Sequence, residues 1–190
     1  MEMMKVWRDK RVLFGFLLVL IGGGTVFMWQ LASRTGGRTD ARQTQIKDSP
    51  DHELKELGVQ LQKKPGHTPI LMRIAQLEHD QGKLADAAGH LREVVTNEPN
   101  NADAHLELGR VLYEKGDWAA GLAETQKALA INPKQVDAMY NLGAMYANGG
   151  DTERARSLWR NAVNVDPQSD SGKQARQALA KLAQVAGGKR

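Results

Sequence analysis

Residues 130–151 read AINPKQVDAMYNLGAMYANGGD. The chain is punctuated twice here, at Pro133 and at Gly149–Gly150, with a run of helix formers between. A proline ring disfavours helical backbone in the residue before it. Glycine reaches the left-handed conformation that closes a helix. The stretch therefore predicts the end of one helix, a complete short helix and the start of a third. Asp151 follows the glycines, where a side-chain oxygen can accept hydrogen bonds from the free N–H groups of a first helical turn.

The same punctuation recurs. Pro65, Pro99, Pro133 and Pro167 stand 34 residues apart, and Gly82, Gly116 and Gly150 keep that step. A fixed period of this length marks a repeat array, each unit being one supersecondary element. In 102–133, a helix A is expected over about 102–115, stopping at Gly116. Asp117 is expected to cap a helix B that ends near Pro133. Each unit is thus a helical hairpin. Small residues occupy the slots where paired helices must approach closely: Ala75, Gly109 and Gly143 on A helices, Ala87, Gly121 and Ala155 on B helices. Apolar residues at helical spacing lie between them, with Ile74, Leu108 and Leu142 on A helices and Leu91, Leu129, Trp159 and Val163 on B helices.

Period, punctuation and small-residue slots together resemble the tetratricopeptide repeat (TPR) family over about residues 51–185. The resemblance implies an all-α solenoid of three full repeats, 68–101, 102–135 and 136–169. A degenerate helix at 51–64 and a polar-faced capping helix at 170–185 would flank them, with a tail at 186–190. Three residues depart from the family pattern: Lys83 replaces the usual capping Asp, Glu78 takes an apolar slot and Thr125 a bulky one.

The N-terminal part reads differently. Residues 12–31, VLFGFLLVLIGGGTVFMWQL, contain no charged side chain and as a helix would span roughly 30 Å, the thickness of a bilayer core. Trp7 and Trp29 flank the stretch, as interfacial indoles do. The rival reading is a cleaved signal peptide with 12–21 as its apolar core. Apolar residues resume at Val26, Phe27, Met28 and Trp29, which favours a retained transmembrane anchor. Residues 1–11 form a short basic tail, and 32–50 have almost no aliphatic content and read as a flexible polar tether. The expected localisation is single-pass membrane, N-terminus inside, with the repeats outside the cytoplasm and periplasmic if the source is bacterial.

The formal charge is +4 at pH 7. The excess belongs to the first fifty residues, and the remainder balances, so no basic field marks a nucleic-acid partner. Without cysteine there is no disulfide, thiol redox centre or thiolate metal site. His52-Glu53 is followed by Glu56 where a zinc protease motif needs a second histidine. DSGKQA at 170–175 lacks the glycine-rich lead-in of a phosphate loop. His52, His67, His79, His90 and His105 include no pair three or four apart and read as surface or groove residues. No catalytic residue, cofactor or metal is expected, and the chain does not read as an enzyme.

In the TPR family the concave surface is lined mainly by A helices, so matching A-helix slots align across repeats. The first row is Met72, Leu106 and Tyr140, the second Gln76, Arg110 and Ala144, the third His79, Tyr113 and Ala147. Together they form the expected peptide-binding groove, suited to an amphipathic helix or an extended peptide with apolar anchors. The competing reading packs the first row between neighbouring A helices. Arg110 is expected to meet a carboxylate, such as a chain terminus. The slots with which one TPR subgroup clamps acidic chaperone C-termini hold Met72, Gln76, Glu107, Asp137 and Asn141, which disfavours that ligand.

Span, tether and array together resemble bacterial membrane-anchored TPR assembly proteins such as the TPR component of c-type cytochrome biogenesis. The implied function is an adaptor or holdase presenting a client peptide to a membrane machine. The alternative is a scaffold or self-associating subunit of an envelope, pilus or secretion complex.

Overall fold

Every punctuation mark in the sequence becomes a break between helices. The structure, a computed structural model, describes residues 49–187. The expected tail, anchor and most of the tether lie outside the described residues. Eight helices follow one another among the described residues: α1 Pro50–Lys63, α2 Thr68–Asp80, α3 Leu84–Asn97, α4 Ala102–Glu114, α5 Trp118–Ile131, α6 Val136–Asn148, α7 Thr152–Val165 and α8 Asp170–Gly187. From Leu54 onward they belong to one unit. The hairpins α2–α3, α4–α5 and α6–α7 stack in order, and α8 packs on both helices of the third. This is an all-helical solenoid.

The turns obey local backbone chemistry. Of the pair Gly149–Gly150, the first is right-handed at φ −78 and the second left-handed at φ 87. Only Gly150 therefore requires glycine. The chain then folds back so that the Asp151 N–H donates to Tyr146 O at 2.9 Å, satisfying a helix-end carbonyl. At the other end of each hairpin the residue before proline leaves the helical region: Glu98 at φ −129 and ψ 76, Asn132 at φ −124 and ψ 89, and Asp166 at φ −148 and ψ 95.

Caps are uneven. Asp151 accepts the Arg154 N–H at 3.0 Å, and Asn101 accepts the Ala104 N–H at 3.0 Å. The expected Asp117 cap does not form. Its backbone carbonyl receives the Gly121 N–H at 2.9 Å, but its side chain accepts no capping bond, and nothing in the structure explains the contrast with Asp151. Lys83 also leaves its helix uncapped, since an ammonium can only donate.

The tightest seam joins α4 to α5. A Cβ built on Gly121 would lie 2.7 Å from Gly109 O and 2.8 Å from Tyr113 N, so the two backbones nearly touch. Thr125 fits its bulky-residue slot because Gly109 faces it. Its hydroxyl is fully buried and donates to Gly121 O at 3.0 Å. Glu78, the other departure, receives a hydrogen bond across the first hairpin from His90 Nδ1 at 2.8 Å.

The core runs through the stack. One cluster unites Ala75, Ala87, Ala88 and Leu91 of the first repeat with Leu108, Val111 and Leu112 of the second. Another joins Met139, Ala155, Trp159 and Ala162 of the third repeat to Ala175 of α8. Trp159 is 6% exposed and donates from Nε1 to Tyr140 O at 3.1 Å. Truncating such a side chain costs about 3–5 kcal/mol. By contrast α1 has no buried residue and places Leu61 at the edge of the cluster Leu71, Val94 and Ala104.

The single-pass membrane localisation is corrected. Among the described residues no helix is long and apolar enough to cross a membrane. A span needs about 20 mostly apolar residues, whereas these helices are 13 to 18 residues long and carry polar faces. The expected anchor, 12–31, lies outside the described residues.

Candidate functional site

The three expected groove rows meet three different fates. In the first, Met72 is half-buried against the core of the first two repeats. Tyr140 is half-buried beside Trp159, with ring centroids 6.5 Å apart. Leu106 is only 5% exposed and packs with Ala128 and Ala138 at the seam between repeats two and three. Leu106 therefore leaves the groove set. Small alanines on both neighbours let the leucine sink between them.

In the second row, Gln76 donates to Asp80 at 2.8 Å, and Ala144 packs against the cluster around Trp159. Arg110 does not wait for an outside carboxylate. Its guanidinium reaches Glu107 at 2.5 Å and Glu114 at 3.6 Å, both on its own helix. The intrahelical spacing of three and four residues supplies these partners, so the expected role for a partner's carboxylate is already filled. Met72, Gln76, His79, Glu107 and Arg110 nevertheless surround one small concavity between α2 and α4.

The third row forms rungs between repeats. His79 Nε2 lies 2.6 Å from Glu114 Oε2, and one repeat later Asn148 Nδ2 donates to the Tyr113 hydroxyl at 3.1 Å. Both rungs join residues 35 apart in sequence. The next rung is absent because Ala147 has nothing to offer. It packs instead against the cluster that α8 completes.

His105, expected at the surface or groove, is 5% exposed. Its Nδ1 lies 2.6 Å from Glu124 Oε2 and its Nε2 3.0 Å from Pro99 O, so it bridges α5 and the turn before α4. Burial pushes the Glu124 carboxyl up, but hydrogen bonds from Lys127 and His105, with their charges, outweigh it and hold the group below its ordinary range. Among the described residues no group of His, Asp and Glu is arranged to hold a metal ion.

A larger feature escaped sequence reasoning. A pocket of about 520 Å³ opens where α4, α5 and α6 meet, lined by Tyr113, Trp118, Ala119, Leu122, Met145, Asn148 and Gly149. Trp118, the first residue of α5, is 67% exposed. The available signal was a tryptophan directly after a hairpin turn, in the slot held by Leu84 and Thr152 in the other repeats.

Tetratricopeptide-repeat family models match this chain at residues 72–135 and 125–157. Over residues 72–157 the chain is thus similar to the tetratricopeptide-repeat family. The structure is similar to the crystal structure of MamA, with a TM-score of 0.66 and 22% identity over 76% of this chain and 83% of that one. The MamA RS-1 ArsTM double mutant gives 0.62 and 21% over 75% and 78%. The first TPR of Spaghetti (RPAP3), bound to the HSP90 peptide SRMEEVD, gives 0.58 and 18% over 63% and 93%. At these identities the likeness is one of fold. No curated protein matches the chain. Here the stacked hairpins combine hydrogen-bonded rungs with a half-open A-helix face.

Proposed function

We propose that this TPR array is an adaptor that holds a peptide segment of a protein partner along its A-helix face. One observation carries the reading: Met72, Gln76, Glu107 and Arg110 remain partly open around a concavity between α2 and α4, while the residues behind them are buried core. The face offers aliphatic and amide surface beside charges already paired with each other. It favours a peptide with apolar anchors and no cluster of carboxylates, because Glu107 and Glu114 would repel one. The acidic peptide in the RPAP3 structure is thus a poor guide to this partner. Holding apocytochrome in c-type cytochrome maturation is the narrower form of the proposal. It keeps its basis in repeat architecture.

The test pans a random peptide library on the full chain and measures the enriched peptide on Gln76→Arg and Arg110→Ala. At least a tenfold weaker Kd on both variants, with unchanged melting curves, is expected. Absence of any enriched peptide, or full affinity on both variants, overturns the adaptor. Concentration-dependent assembly in its place would favour a structural scaffold.

A further inference from the structure

We propose that the pocket between α4, α5 and α6 is a binding site for one uncharged apolar residue, taken up by its side chain and an adjoining amide. As a specificity pocket of the adaptor it rests on the peptide-binding reading. Its volume of about 520 Å³ falls within the usual range of ligand pockets. Its walls are the faces of Trp118, Leu122, Met145 and Ala119, and no charged side chain lines it. An ionic group would find no counter-charge among the lining side chains while losing hydration to the apolar ones, so the site favours a neutral occupant.

Tyr113 and Asn148 set the polarity of one wall. Asn148 Nδ2 donates to the Tyr113 hydroxyl at 3.1 Å, which leaves the phenolic proton and the Asn148 amide oxygen without a protein partner among the described residues. One donor and one acceptor beside an apolar cavity match a secondary amide next to an aliphatic or aromatic side chain. The array contains its own comparison. One repeat earlier the corresponding rung is the His79–Glu114 pair, which is ionic when the imidazole is protonated, and Leu84 stands in the Trp118 slot. The neutral rung and the indole coincide at one junction only among the described residues.

Glycine packing gives the wall its position. The Gly109–Gly121 contact draws α5 so close to α4 that a Cβ on Gly121 would lie 2.9 Å from Tyr113 Cβ. Trp118, one turn before Gly121, is thereby carried to the mouth beside Tyr113.

N-acetyl-leucinamide is the probe, titrated into the full chain carrying 15N-tryptophan and 13C-methyl methionine. The Trp118 indole signal is assigned with Trp118→Phe and the Met145 methyl with Met145→Leu. A saturable shift of both signals with Kd on the order of a millimolar is expected for so small a ligand. N-acetyl-alaninamide should bind at least several-fold more weakly. Ala119→Phe, at an exposed position that lines the pocket, should abolish the shift while the fold is retained. Gln76→Arg should leave it unchanged, which separates failure of the pocket from failure of the A-helix face. No saturable shift in the folded wild type overturns the site, as does a shift that survives Ala119→Phe. A Trp118 signal that moves with protein concentration alone replaces the ligand with a second copy of the chain.

Discussion

A single methyl group is enough to probe the closest seam. Gly109→Ala places a Cβ 2.9 Å from Gly121 O and 2.9 Å from Thr125 N, both backbone atoms that cannot rotate away. We expect a loss of about 1–3 kcal/mol in urea unfolding, even though alanine is the better helix former. Gly89 in α3 is the control: its added Cβ meets nothing within 4 Å, so Gly89→Ala should stabilise by about 0.5–1 kcal/mol. Glu124 provides a test by pH. Its folded pKa is depressed, so its contribution is present above the unfolded value and lost as pH falls through the folded one. Glu124→Gln should be less stable than wild type at pH 7 by about 1–3 kcal/mol, because His105 and Lys127 lose a charged acceptor. Unfolding curves should show that difference closing as pH drops below 4.5.

Helix ends give the next scale. Asp151→Ala removes a formed cap and should cost about 1 kcal/mol, whereas Asp117→Ala removes none and should stay within about 0.5 kcal/mol, as read by thermal melts. The two aspartates hold equivalent positions in the repeat, and the sequence alone could not separate them. What it did carry was local: prolines, left-handed glycines and small-residue slots act within a few residues, so the hairpin and its period could be read directly. The fate of each groove row depends on partners in another helix or repeat. Leu106 sinks because Ala128 and Ala138 are small, and Tyr113 becomes a rung because Asn148 lies one repeat on. Arg110 is a different failure. Its partners at three and four residues were visible, but reading it as an outward-facing cation ignored them.

At the scale of the whole array, α8 completes the third repeat by packing Ala175 against Met139, Ala155 and Trp159. Ending the chain after Pro167 should expose that face. Amide hydrogen exchange is then expected to rise in α6 and α7 while α2 to α5 change little, because repeats depend chiefly on their neighbours. Uniform loss of protection from α2 to α7 would instead mean that the stack unfolds as one cooperative block.

The rungs also limit how far the chain must search. His79–Glu114, Tyr113–Asn148, Asp103–Gln135 and Asp137–Ser171 join residues only 32 to 35 positions apart. Closing any of these inter-repeat contacts therefore requires a loop of about one repeat, however long the array becomes, and the entropy of closure does not grow with its length. Contacts of such short range favour folding in microseconds to milliseconds. Duplicating residues 102–135 in frame should slow unfolding while leaving the refolding limb of a chevron plot almost where it was.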